Sequence, residues 1–159
     1  MNPTSSDISS HKLVLSREFK ASRERLWQAW TQPEQIQQWL GSGDDVEIES
    51  VLMDLRVGGK FRIQQKMEDG EYYTAAGTYL EVIAPERLVY TWDWEKDGRG
   101  TEFGELEGNE TQVTVEFLPR GQKTEVVLTH EKFASIKSRD SHEGGWKSWM
   151  GRLAQFVEA

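Results

Sequence analysis

The spacing of apolar residues changes along this chain, from strand-like alternation to a helical stripe and back, and it ends in one long helical pattern. Leu13 and Leu15 alternate with Lys12, Val14 and Ser16, which predicts a first strand to about Phe19. Ser22 then stands where it can cap a short helix carrying Leu26, Trp27, Ala29 and Trp30. Thr31-Gln-Pro-Glu34 reads as a capping box with proline in the first turn, predicting a second helix with Ile36, Trp39 and Leu40 on its apolar side and Gly41-Ser-Gly43 as its stop. Alternation resumes from Val46 to Asp54 and from Lys60 to Met67. In the latter Phe61, Ile63 and Met67 oppose Lys60, Arg62, Gln64 and Lys66, so both segments read as strands with one wet face.

Asp69-Gly70 signals a hairpin into a long strand from about Glu71 to Ile83, and Ala84-Pro-Glu-Arg87 turns the chain into Leu88–Trp94. In that strand Leu88, Tyr90, Trp92 and Trp94 share a face. Residues 95–109 are rich in glycine and acid, with Phe103 and Leu106 as their apolar anchors, and read as a mobile loop beside a cavity mouth. Val113, Val115 and Phe117 mark another strand, and Val126, Leu128 and His130 share a face of the last one. Seven strands with turns this short predict an antiparallel meander.

The closing segment from His142 to Val157 has a single apolar stripe of Trp146, Trp149, Met150, Leu153 and Val157. Such a helix needs a sheet beneath it. Two bulky tryptophans hold the layers apart, which favours a hollow between them as readily as a dry core. Gly144-Gly145 reads as a turn into this helix, and Gly58-Gly59 as a tight turn between strands; no helix follows that pair to make a phosphate loop. Gly77 reads as a bulge or kink in a long strand.

Composition narrows the partners. The chain has 159 residues, enough for one domain (11–159) behind a polar tail (1–10), and its formal net charge is −8 with no basic run, which argues against nucleic acid. Cysteine is absent, the start lacks a secretory pattern, and no apolar run approaches the ~20 residues of a membrane span, so a cytoplasmic location is expected. Chemistry is thinly supplied. No metal motif accompanies the three histidines, and no cofactor is expected. His11 sits by the tail; His130 and His142 can approach a cavity mouth as a base or hydrogen-bond donor, or serve only to satisfy a strand end and a helix start. Asp93 and Glu131 read as solvated strand charges.

A family resemblance joins these pieces. Arg17-Glu-Phe-Lys-Ala21, Leu26-Trp-Gln-Ala-Trp30, Pro33 through Trp39, Val57-Gly-Gly59, Gly77 with Pro85-Glu-Arg-Leu88, Thr91-Trp92, Thr124 through His130 and Gly145-Trp146 resemble, over about residues 12–157, bacterial proteins similar to the activator of heat-shock-protein-90 ATPase. These lie within the START and birch-pollen-allergen superfamily (SRPBCC). The resemblance implies an α+β helix-grip fold, β-α-α-β-β-β-β-β-β-α, with a curved antiparallel sheet around the C-terminal helix and an internal hydrophobic cavity. It also implies a small hydrophobic ligand, lipid-like or aromatic, bound or sequestered. The expected walls are Trp146, Trp149, Met150 and Leu153 from the helix, Trp39 from the second short helix, and Phe61, Ile63, Tyr90, Trp92, Val115 and His130 from the strands. A cyclase- or hydrolase-like enzyme using His130, His142 or Tyr90 is the alternative, with catalysis the less expected outcome. A chaperone-associated interaction module rests on fold analogy alone. A homodimer is left open.

Overall fold

The computed structural model describes residues 11–40 and 46–158. The expected tail and the glycine stop after Leu40 lie outside the described residues. The elements are β1 (Leu13–Phe19), α1 (Arg23–Thr31), α2 (Pro33–Leu40), β2 (Val46–Met53), β3 (Lys60–Met67), β4 (Tyr72–Ile83), β5 (Arg87–Trp94), β6 (Thr111–Arg120), β7 (Lys123–Glu131) and α3 (Ile136–Val157). All seven strands form one antiparallel sheet in the order β1-β7-β6-β5-β4-β3-β2, curled around α3, so the α+β helix-grip architecture holds. No helix among the described residues is long and apolar enough to cross a membrane.

The inner face follows from the period of two. Cross-strand register places Leu88 opposite Val115 and Val115 opposite Leu128, and Tyr90 opposite Val113 and Val113 opposite His130, so alternate residues of the central strands point together at α3. From the helix, Trp146, Met150, Leu153, Ala154 and Val157 meet them, at the i, i+4, i+7, i+8 and i+11 spacing of one stripe. Trp149 stands at the margin of that stripe and is only half-buried.

Three local expectations change. Ser22 caps α1 as expected, accepting from Arg25 N at 3.1 Å, but Thr31 does not open α2. It ends α1, its hydroxyl donating back to the Trp27 carbonyl at 2.6 Å, because the first helix runs one residue further than its apolar pattern suggests. α3 starts at Ile136, capped by the Ser135 hydroxyl accepting from Ser138 N at 3.1 Å, well before the expected start at His142. Gly144 and Gly145 therefore lie inside the helix and form no turn. A Cβ on Gly144 meets nothing within 4 Å, so Gly144→Ala is expected to raise stability by about 0.5–1 kcal/mol, read as a rise in the urea midpoint at unchanged slope.

Gly77 sits in register, and the β4–β5 irregularity comes later, between Tyr79 and Glu81. What requires a glycine at 77 is proximity: a Cβ there falls 1.9 Å from the Thr91 carbonyl oxygen and 2.7 Å from the Phe61 ring. Gly58, at φ +86°, does make the expected turn.

The largest correction concerns the supposed wet face of β3. Arg62 is fully buried and Gln64 nearly so, because residues 96–109 fold across the outer face of β3–β5 and hydrogen-bond to it. Arg62 clamps Glu95 through two bonds, Nε to Oε2 at 2.7 Å and Nη2 to Oε1 at 2.9 Å, and Nη2 also donates to the Gly100 carbonyl. Gln64 and Thr74 both donate to the Gly98 carbonyl, at 2.9 and 2.7 Å. Asp93, expected in water, is buried and accepts from Gly108 N and Asn109 N, closing the far end of the segment. The loop is thus fastened by polar contacts to the sheet, whereas Phe103, expected as its anchor, is 46% exposed.

Candidate functional site

Little space remains between the layers. Phe61 contacts Tyr79, Tyr90 and Trp92 at centroid distances of 5.6, 5.1 and 6.0 Å, and with Trp30 and Ile36 these rings leave a space of about 30 Å³, far below the volume of a ligand pocket. The larger space, about 710 Å³, is a cleft at one end of the sheet. Its walls come from the β3–β4 turn, the end of β5, the first residues after β5 and the N-terminal half of α3. This volume is in the range that holds a small organic molecule.

Four indoles form the apolar wall. Trp92 stands at the centre, 5.6 Å from Trp94, 5.6 Å from Trp146 and 6.0 Å from Trp149, while Trp146 and Trp149 meet edge to face at 5.0 Å. Trp92 also borders the inner void, so its ring separates the two spaces. Its Nε1–H is buried and has no acceptor among the described residues. An unmet buried donor of this kind costs about 1–3 kcal/mol until an acceptor reaches it.

Two histidines, His130 behind the wall and His142 at its edge, stand with ring centroids 5.1 Å apart, each hydrogen-bonded to other residues. Trp146 Nε1–H donates to His130 Nδ1 at 2.9 Å, and indole is only a donor, so the proton of His130 sits on Nε2 and is given to Thr111 Oγ1 at 2.7 Å. The Thr111 hydroxyl in turn donates to the Trp92 carbonyl at 2.9 Å. Burial, with His142 nearby, pushes the pKa of His130 down to about 2. His142 is fixed in the opposite tautomer: Nδ1–H donates to the Ser138 carbonyl at 2.8 Å and Nε2 accepts from Trp94 Nε1–H at 3.2 Å. Burial lowers its pKa too, against the opposing bond to Ser138. Both imidazoles are neutral with both nitrogens engaged, which suits them to hold Trp94 and Trp146 in place.

The expected site residues divide accordingly. Trp92, Trp146 and Trp149 border the cleft, as does His142. Phe61, Ile63 and Tyr90 border only the small inner void, and the Tyr90 hydroxyl accepts from Trp30 Nε1–H at 3.4 Å while burial raises its pKa. Trp39, Val115, His130, Met150 and Leu153 border neither space and are packed in the core; Trp39 donates its Nε1–H to the Ala29 carbonyl at 2.8 Å. Trp94, Tyr72 and Glu107, outside the expected set, also border the cleft. Trp94 carried a signal, as the last member of the alternating face that starts at Leu88; the other two did not.

A family model described as activator of Hsp90 ATPase homolog 1-like protein (AHSA1) matches residues 20–158. The chain belongs to this family. Solved structures agree with the AHSA1-like fold. Protein CV1439 from Chromobacterium violaceum superposes with a TM-score of 0.79 at 23% identity, covering 94% of this chain and 98% of that one. The AHSA1 protein SPO3351 from Silicibacter pomeroyi gives 0.76 at 24%, covering 91% and 95%, and NE0264 from Nitrosomonas europaea 0.75 at 21%, covering 94% and 96%. A search of curated protein sequences found no match. The AHSA1 family and its fold fit a ligand-binding domain in general.

Proposed function

We propose that this AHSA1-like protein binds a small hydrophobic molecule, aromatic or lipid-like, in the tryptophan-walled cleft, as a carrier or sequestering protein without catalysis. The observation that carries this reading is the 710 Å³ cleft faced by Trp92, Trp94, Trp146 and Trp149. Trp94 and Trp149, half-buried, offer most of the accessible apolar surface over the nearly covered Trp92 and Trp146, and at ~25 cal/mol per Å² a few hundred Å² of buried ligand surface gives micromolar-range binding after the losses of association. Trp92 Nε1–H supplies a donor for one acceptor atom on the ligand once neighbouring rings shift to admit it. Against turnover stands the state of the histidines, whose nitrogens are all engaged with Trp94, Trp146, Thr111 and Ser138.

Binding of 2-naphthol, a flat neutral probe, is expected to quench tryptophan emission, with affinity falling about tenfold in Trp149→Ala. Trp149 is half-buried at the margin of the helix stripe, so the variant should keep its helix and sheet content by far-ultraviolet circular dichroism. Equal affinity in the variant, or no binding by the parent protein, contradicts the proposal. Native mass spectrometry of freshly purified protein checks for a carried molecule directly.

A further inference from the structure

We infer that the cleft selects a ligand bearing a positive charge, an organic amine or quaternary ammonium on an apolar body; this rests on the cleft being the binding site. The first support is the charge at its rim. Glu71, Glu95, Asp97 and Glu107 border the cleft against Lys96 and Arg99, and with Arg62, Glu105 and the Lys66–Glu49 pair beside Tyr72 included, six carboxylates meet four cations. Both histidines nearby are held neutral and offset none of this excess.

The second support is that the rim's own cations are engaged. Lys96 pairs with Glu105 at 2.9 Å, and Arg99 with Glu71 at 3.5 Å and Asp97 at 3.6 Å, which leaves neither as a ready receptor for an anion. Glu107 differs. Its backbone N–H bonds the Trp94 carbonyl and both residues border the cleft, yet its carboxylate has no ion pair or hydrogen bond among the described residues.

The third support is the wall itself. Aromatic rings carry negative faces that attract cations, most strongly when water is excluded. The protein already uses this at the rim, where the Arg99 guanidinium stands 5.8 Å and the Lys66 ammonium 6.0 Å from the centre of the Tyr72 ring. No side-chain cation lies over Trp92, Trp94 or Trp149 among the described residues. The half-buried rings of Trp94 and Trp149, with no side-chain cation over them, and an unpaired carboxylate at the opening together describe a receptor for a desolvated organic cation.

Three probes of nearly one shape separate charge from size: benzyltrimethylammonium, its neutral carbon isostere neopentylbenzene, and the anion phenylmethanesulfonate. In titrations followed by tryptophan emission, the cation should bind about tenfold more tightly than the neutral isostere, and the anion most weakly. Glu107→Gln should weaken the cation several-fold and leave the neutral probe unchanged; that unchanged arm also shows the variant is folded. Raising the salt concentration should weaken only the cation. A neutral probe that binds as well as the cation, or a cation indifferent to Glu107→Gln, overturns the charge selection while leaving the cleft as a binding site. If neither these probes nor 2-naphthol binds, both the selection and the proposed function fall.

Discussion

Glu95→Ala destabilises the protein by about 3–5 kcal/mol, the effect of stripping one partner from a buried ion pair. The Arg62 side chain has no exposure and that of Glu95 only 2%, so the abandoned guanidinium can neither reach water nor find a substitute for the two bonds it loses. One of its nitrogens, Nη1, is already without a partner. Burial alone raises the pKa of Glu95, but the bonds from Arg62 and from Gly104 N–H hold it below the usual carboxylate range. Replacing both residues, as Arg62→Met with Glu95→Leu, should cost clearly less than Glu95→Ala, since no unpaired charge is left behind. Urea unfolding of the three variants tests this; a loss under about 1 kcal/mol in Glu95→Ala would show that the pair is solvated and the loop loosely held.

Acid weakens the fold well before the carboxylates titrate. His130 in the unfolded chain takes up a proton near pH 6.5, whereas in the folded protein its pKa is about 2, so between those values the unfolded state binds more protons. Stability is therefore fully present above about pH 6.5 and falls as pH drops, by about 1.4 kcal/mol per unit, reaching about 3 kcal/mol at pH 4.5. His142, the titratable group facing His130, is lowered as well and steepens the loss in the same window. Below about pH 4.5 the depressed Glu95 adds its own loss. His130→Gln keeps a donor and an acceptor in place but cannot ionise, and it should flatten the pH slope by about one proton between pH 6.5 and 4.5. An unaltered slope would place the titration elsewhere.

Much of the sheet was legible in the sequence because its inner face obeys strict alternation: Leu88, Tyr90 and Trp92, or Val113, Val115 and Phe117, announce a one-sided strand without any knowledge of neighbours. The stripe of α3 was legible for the same reason. Its first two turns were not, since 136–141 carry no apolar period and Ser135 as a cap is one serine among several in that stretch. The buried polar face of β3 was hidden for a different reason. Arg62 and Gln64 alternate with Phe61 and Ile63 as solvent-facing residues do, and only a segment more than 30 residues later, folding back over them, reverses their fate. Asp93 was misread in the same way, because a buried carboxylate satisfied by two backbone N–H groups has no signature of its own. In the site, Trp92, Trp146 and Trp149 could be expected to meet, because their elements face one another. Which gap between them stays open depends on how Phe61, Tyr79 and Tyr90 fill the interior, and that is a matter of ring packing to fractions of an ångström.

Occupation of the tryptophan-walled cleft is read from the seven indole N–H resonances of ¹⁵N-labelled protein during titration with 2-naphthol. Binding there should shift Trp92, Trp94, Trp146 and Trp149 in a saturable manner and leave Trp27 and Trp39 unmoved, with the Trp92 resonance changing most as its N–H gains an acceptor. Saturable shifts confined to Trp27 and Trp39, or no saturable shift at all, would contradict it.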